Sequence, residues 1–170
     1  MPTTYTLINS NVLSSSQASV TFSSIPATYT DLVLRVSARD SADTPITTLS
    51  LRFNSDSSTN YSQTILDGSG SAASSSNTSS TTADARVMIE PSTYTASTFG
   101  SFEIYVPNYL VSANKPYSYF GVTENNATAS YIRANAALWR NTAAITSIVM
   151  TAPVSFVSGS SFYLYGISNA

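Results

Sequence analysis

The chain has 170 residues, a net charge of -2, only 9% charged residues, no histidine and no cysteine, and about a third of it is serine or threonine. That balance excludes thiol chemistry and histidine-based acid–base or metal chemistry, and the length suits one domain able to bury a core without disulfide staples. The basic residues Arg35, Arg39, Arg52, Arg86, Lys115, Arg133 and Arg140 form no run, so the clustered positive footprint of a nucleic-acid binder is missing.

Period-two alternation recurs along the chain, whereas helical periodicity does not. Strands are expected over residues 5–12 and 18–22. A polar turn holding the φ-locked Pro26 then leads into the clearest strand, 31–39, where Leu32, Leu34, Val36 and Ala38 share one face and Val33, Arg35, Ser37 and Arg39 the other. Over 48–54, Leu49, Leu51 and Phe53 point inward, and a further strand is expected at 61–66. Residues 68–82 break the pattern. They are low in complexity and nearly free of apolar side chains, which predicts a flexible surface loop or an arm that orders across a partner subunit. Alternation resumes at 85–90 and at 100–106, where Phe102, Ile104 and Val106 oppose Ser101, Glu103 and Tyr105. Strands follow at 117–123, 130–138 and 145–151. In the last, 161–167, Phe162 and Leu164 oppose Tyr163, Tyr165 and Ile167, an apolar pattern on both faces that suits a sheet interior or an interface. Together these segments predict an all-β fold, a two-sheet antiparallel β-sandwich of the jelly-roll kind, as a single domain over 1–170.

Little in the sequence suits catalysis. Serine nucleophiles lack their usual base, and Lys115, the only lysine, sits in the turn-like Ser112-Ala113-Asn114-Lys115-Pro116, where a solvated ammonium is expected. Glu90, Glu103 and Glu124 with Asp67 or Asp84 are the only material for a glycosidase carboxylate pair. Asp40-Ser41-Ala42-Asp43 and Asn54-Ser55-Asp56-Ser57 offer oxygens but match no calcium-loop spacing, and they read as ordinary turns. No cofactor and no metal is expected. The Asn-x-Ser/Thr triplets at Asn60, Asn77 and Asn126 are expected by chance at this composition. Apolar runs such as 32–34 and 148–150 are far too short to span a membrane, and the N-terminal residues lack the pattern of a signal peptide, so synthesis in a cytoplasm is expected.

What the composition supplies is contact surface. Tyrosine and tryptophan combine an apolar body with a polar tip, and the tyrosines fall mostly on strands. Trp139, the only tryptophan, reads either as a core or rim residue or as a binding anchor. The residues expected at an interface are Tyr5, Leu7, Ser75, Asn77, Tyr109, Trp139, Tyr163 and Tyr165.

Several stretches resemble a family of small virion proteins from tailed bacteriophages, especially those of marine and cyanobacterial hosts. They are Tyr5-Thr6-Leu7-Ile8, residues 20–32 around Ser24-Ile25-Pro26-Ala27, Leu51-Arg52-Phe53-Asn54, Asn60-Tyr61-Ser62, Phe99-Gly100, Ile104-Tyr105-Val106-Pro107-Asn108-Tyr109, residues 124–129, Leu138-Trp139, residues 142–148 and Leu164-Tyr165-Gly166-Ile167. These motifs carry fold rather than a reactive site. The resemblance implies a β-sandwich assembled as a homotrimer, acting as a capsid decoration (cement) protein on the outer capsid surface with the major capsid protein as partner. The family also includes tail-fibre domains, which would instead bind host surface glycans. Neither role implies catalysis, nucleic acid or membrane.

Overall fold

Twelve strands carry the regular structure of the computed structural model, which describes residues 4–45, 47–126 and 130–168. They are β1 (Tyr5–Val12), β2 (Gln17–Phe22), β3 (Asp31–Ala38), β4 (Thr47–Phe53), β5 (Tyr61–Gly68), β6 (Ala73–Thr81), β7 (Asp84–Ile89), β8 (Gly100–Val106), β9 (Lys115–Thr123), β10 (Tyr131–Trp139), β11 (Ile148–Phe156) and β12 (Ser161–Ile167). Residues 127–129, part of the 124–129 stretch, and residues 1–3 lie outside those described.

The strands form two antiparallel sheets, ordered β1-β12-β3-β8-β9-β10-β5-β6 and β2-β11-β4-β7. Without the hairpins β5–β6 and β9–β10, the orders reduce to β1-β12-β3-β8 against β2-β11-β4-β7. That is the eight-strand, double Greek-key jelly roll. The two inserted hairpins add four strands to one side of the first sheet, so the larger sheet extends past the smaller one.

Alternation in sequence becomes alternation in burial. Leu32, Leu34 and Val36 on β3, Ile104 and Val106 on β8, and Phe162 and Leu164 on β12 meet Leu49, Leu51 and Phe53 on β4 and Ile148, Met150 and Phe156 on β11, all of them buried. Each such side chain contributes about 1.5–3 kcal/mol by leaving water. At the junction with the inserted hairpins, Phe53 packs edge-on to Tyr117 at 5.1 Å and tilted to Trp139 at 5.6 Å, with Tyr61 stacked on Trp139 at 6.4 Å.

Segment 68–82 is not a loop. After Gly68 the chain turns through Gly70, whose φ of 81 suits glycine, and returns as β6, hydrogen-bonded along β5. Composition misleads here because an edge strand needs one ladder and no buried side chain. β6 accordingly has no fully buried residue.

Arg39, one residue beyond β3, is buried and ties the 91–99 loop down. Its guanidinium donates to the carbonyls of Ser92, Tyr94, Thr95 and Thr98 at 2.7–3.1 Å.

Candidate functional site

In the first half of β10 the usual polarity of a half-buried strand is inverted. On β10, Arg133 and Asn135 turn inward and are buried, while Ile132, Ala134, Ala136 and Leu138 turn outward. The inner polar groups are matched. Arg133 holds Asp67 through two parallel hydrogen bonds, one of them Nη2 to Oδ2 at 2.6 Å, and Asp84 accepts from Tyr117 Oη at 3.0 Å and Asn135 Nδ2 at 3.3 Å. Burial alone would lower the pKa of Arg133, but the bond to Asp67, the Asp67 charge and the neighbouring Tyr119 together outweigh it and the net shift is upward. Beside the apolar core formed by Tyr61, Tyr117, Tyr119 and Trp139, this paired polar patch leaves Ile132, Leu66 and Phe120 exposed on the outer side, which suits a contact surface.

Strand register shows how far that face runs. Leu7, Tyr165, Val33, Tyr105, Ser118, Ala136, Thr64 and Asn77 form one row across all eight strands. Ser10, Tyr163, Arg35, Glu103, Phe120, Ala134, Leu66 and Ser75 form the next. Over β8, β9, β10, β5 and β6 the small side chains of Ser118, Ala134 and Ala136 make a floor, and larger ones rise around it. Two adjoining grooves result, of about 740 Å³ between Tyr105, Pro116, Leu138 and Asn77 and about 560 Å³ between Tyr105, Phe120, Leu66 and Ser75. Leu66 is 59% exposed, Phe120 54% and Ile132 49%.

The grooves are held in shape by fixed walls. Tyr105 Oη donates to Asp31 Oδ2 at 2.9 Å while Asp31 Oδ1 accepts from the Asn108 N–H at 2.8 Å. Burial, and then the neighbouring Asp31 carboxylate, push the Tyr105 pKa up and keep the phenol a neutral donor. Toward β1 the face carries charge that cancels. Arg35 Nε donates to Glu103 Oε2 at 2.8 Å, and the guanidinium lies 5.7 Å from the centre of the Tyr5 ring and 5.8 Å from that of Tyr165. The bond to Glu103, and then its charge, raise the Arg35 pKa.

Six of the residues expected at an interface meet on this face: Tyr5, Leu7, Ser75 and Asn77 are exposed, and Tyr163 and Tyr165 are half-buried. The other two are corrected. Trp139 and Tyr109 are fully buried; the indole of Trp139 donates to Asp56 Oδ2 at 2.8 Å, and Tyr109 Oη donates to the Pro26 carbonyl. Both place an apolar ring in the core and a polar tip on an internal acceptor. Tyr117 and Tyr119 are also core residues, which turns Phe120 outward.

Lys115 departs from expectation too, being 1% exposed. The loop after β8 wraps it, and Nζ donates to the carbonyls of Val111 and Ala113, each at 2.6 Å, and of Thr142 at 3.5 Å. Burial lowers its pKa.

The remaining carboxylates hold structure. Asp40 accepts from the N–H groups of Ala42 and Ser155 and from Thr47 Oγ1, and Asp56 from the Ser58 N–H, Asn60 Nδ2 and Trp139. Glu90 is buried beside Asn125 Nδ2 at 3.2 Å, and its pKa is raised, first of all by burial. Glu124 caps the Asn126 N–H.

No family model, curated protein or solved structure matches the chain. What fold and face define is a jelly-roll β-sandwich whose large sheet presents an open outer surface of low charge.

Proposed function

We propose that this chain is a structural virion protein of a tailed bacteriophage, a capsid decoration (cement) protein. It lays the outer face of its large sheet against the major capsid protein on the outer capsid surface, acts as a homotrimer, and stabilises the shell. The observation that supports this reading is the inverted polarity of β10, with Leu66 and Phe120 exposed on the same face. Such a surface offers area rather than reacting groups. Many weak apolar and polar contacts repeated by symmetry add up through avidity, and a face whose charges cancel attaches with little dependence on salt. The virion context itself comes from the sequence resemblance over the fold-bearing motifs. The test is sedimentation of purified chain alone and with empty shells: a trimer that saturates the shells and raises their melting temperature supports the reading, and a monomer that leaves shells bare overturns it.

One feature favours a second reading, a tail-fibre module binding host glycans. The larger groove pairs an aromatic wall, Tyr105, with the hydroxyl and amide groups of Thr64, Ser118 and Asn77. Specific glycan-array binding that Tyr105→Ala abolishes would select it over the decoration role.

A further inference from the structure

The large sheet ends in β1 on one side and β6 on the other, and the two ends are finished differently. The register of β1 against β12 shifts midway, between Leu7 and Asn9, and the Ser10 N–H beside that shift is already taken by Asn9 Oδ1 at 2.8 Å. A bulge in mid-strand and a used donor are devices that blunt an edge. β6 is regular against β5 from Ala73 to Thr78, and its register shifts only near its C-terminal end, opposite the step from Tyr61 to Gln63. Residues 73–81 contain no lysine, arginine, aspartate, glutamate or proline. In an antiparallel ladder every second residue of an edge strand turns its N–H and C=O away from its neighbour, so residues 73–78 of β6 offer an uncharged template, while beyond them Arg140 Nη1 donates to the Ser79 carbonyl at 3.0 Å.

We propose that β6 pairs antiparallel with β6 of a second copy of this chain, about a two-fold axis that runs between the two strands. The second copy is chosen by self-complementarity. Two-fold pairing sets the strand against its own image; with no charge or proline in residues 73–81, no register of that pairing brings like charges together, and serine, threonine and asparagine face one another in favourable cross-strand pairs. Neither end of β1 offers the same match, because its bulge breaks the run. The symmetry has a structural consequence: an axis normal to the sheet keeps both outer faces on one side. Ser75 and Asn77, which rim the grooves, then meet their counterparts, and two grooves join across the seam. The pairing stands independently of the virion reading and is a contact separate from the proposed trimer's: a two-fold joins two trimers and does not relate the three subunits of one.

The chain has no cysteine, so a single introduced thiol reports without background. Variants Ser74→Cys, Ser75→Cys, Ser76→Cys, Asn77→Cys and Thr78→Cys are oxidised mildly at equal concentration, with Ser15→Cys in the exposed turn after β1, at the opposite edge of the large sheet, as the collision control. A residue on the axis faces its own image at a Cα separation of about 4.5–5.5 Å, within disulfide reach, and residues one or two places along lie beyond about 7 Å. The expected result is a disulfide-linked dimer that peaks at one β6 position, at least about tenfold faster than the control. Rates at the control level at every position overturn the proposal, and so does a β6 cysteine that links instead to Asn11→Cys on β1.

Discussion

Trp139 Nε1 donates to Asp56 Oδ2 at 2.8 Å, joining the largest side chain of the core to the turn that follows β4. The same carboxylate accepts from the Ser58 N–H and Asn60 Nδ2, each at 2.9 Å. The bond therefore fixes where the 54–60 turn closes over the inserted hairpins. Asp56→Ala leaves a buried indole N–H without its acceptor, and the expected cost is about 1–3 kcal/mol. Urea unfolding followed by the fluorescence of the only tryptophan measures it.

The pH dependence of that group follows from its surroundings. Burial alone would raise the Asp56 pKa, but the hydrogen bonds from Asn60, Ser58 and Trp139 outweigh it and the net shift is downward. A carboxylate depressed in the folded state stabilises the fold above its unfolded pKa of about 4 and loses that contribution as pH falls toward the folded value. Asp56→Asn is expected to flatten the acid limb of the stability profile below about pH 4, measured as melting temperature against pH.

Lys115 gives the opposite limb. Burial lowers its folded pKa below the unfolded value near 10.4, so between the two the unfolded chain binds the extra proton and stability rises with pH. Lys115→Met is expected to abolish that alkaline rise. At neutral pH the variant should lose about 1–3 kcal/mol, because the Val111 and Ala113 carbonyls lose their donor.

Gly166 lies on β12 against the ring of Tyr29. A Cβ at this position would stand 2.2 Å from Tyr29 Cγ, with two further ring carbons within 2.6 Å. Tyr29 packs on the core, so the ring must shift as a whole. Gly166→Ala is expected to cost about 1–3 kcal/mol in denaturant unfolding.

Arg39→Lys keeps the charge and loses the fork that reaches four carbonyls of the 91–99 loop. Hydrogen exchange of amides in that loop should speed up by about tenfold or more, and global stability should fall by about 2 kcal/mol.

The strands at 48–54 and 100–106 were legible from alternation of apolar and polar residues, and those at 31–39 and 161–167 from runs of apolar and β-favouring residues on both faces; none of the four lies at a sheet edge. β6 was not legible. Its serines and threonines bury nothing, and the strand is specified by backbone pairing with β5, which composition does not record. The sidedness of β9 and β10 was hidden for another reason. Tyr117, Tyr119 and Phe120 are all aromatic, so a period of two does not say which of them faces in, and on β10 the inward places go to Arg133 and Asn135, whose partners Asp67 and Asp84 lie on other strands. Lys115 read as exposed because Pro116 marks a turn, while the carbonyls that enclose it come from a loop whose path only the fold reveals. Tyr5, Leu7, Ser75, Asn77, Tyr163 and Tyr165 were expected at an interface from residue type and from the uncharged segments that hold some of them, and register alone shows that they share a face.

The outer face of the large sheet is proposed as a contact surface for a capsid shell. The most direct measurement is co-sedimentation of empty shells with the wild-type chain and with a Leu66→Glu, Phe120→Glu double variant. Both side chains are more than half exposed, so the variant should retain the wild-type circular dichroism and melting behaviour. Saturable wild-type binding is expected, with a loss of about tenfold or more in the variant. Equal binding by the two chains, or none by the wild type, would contradict it.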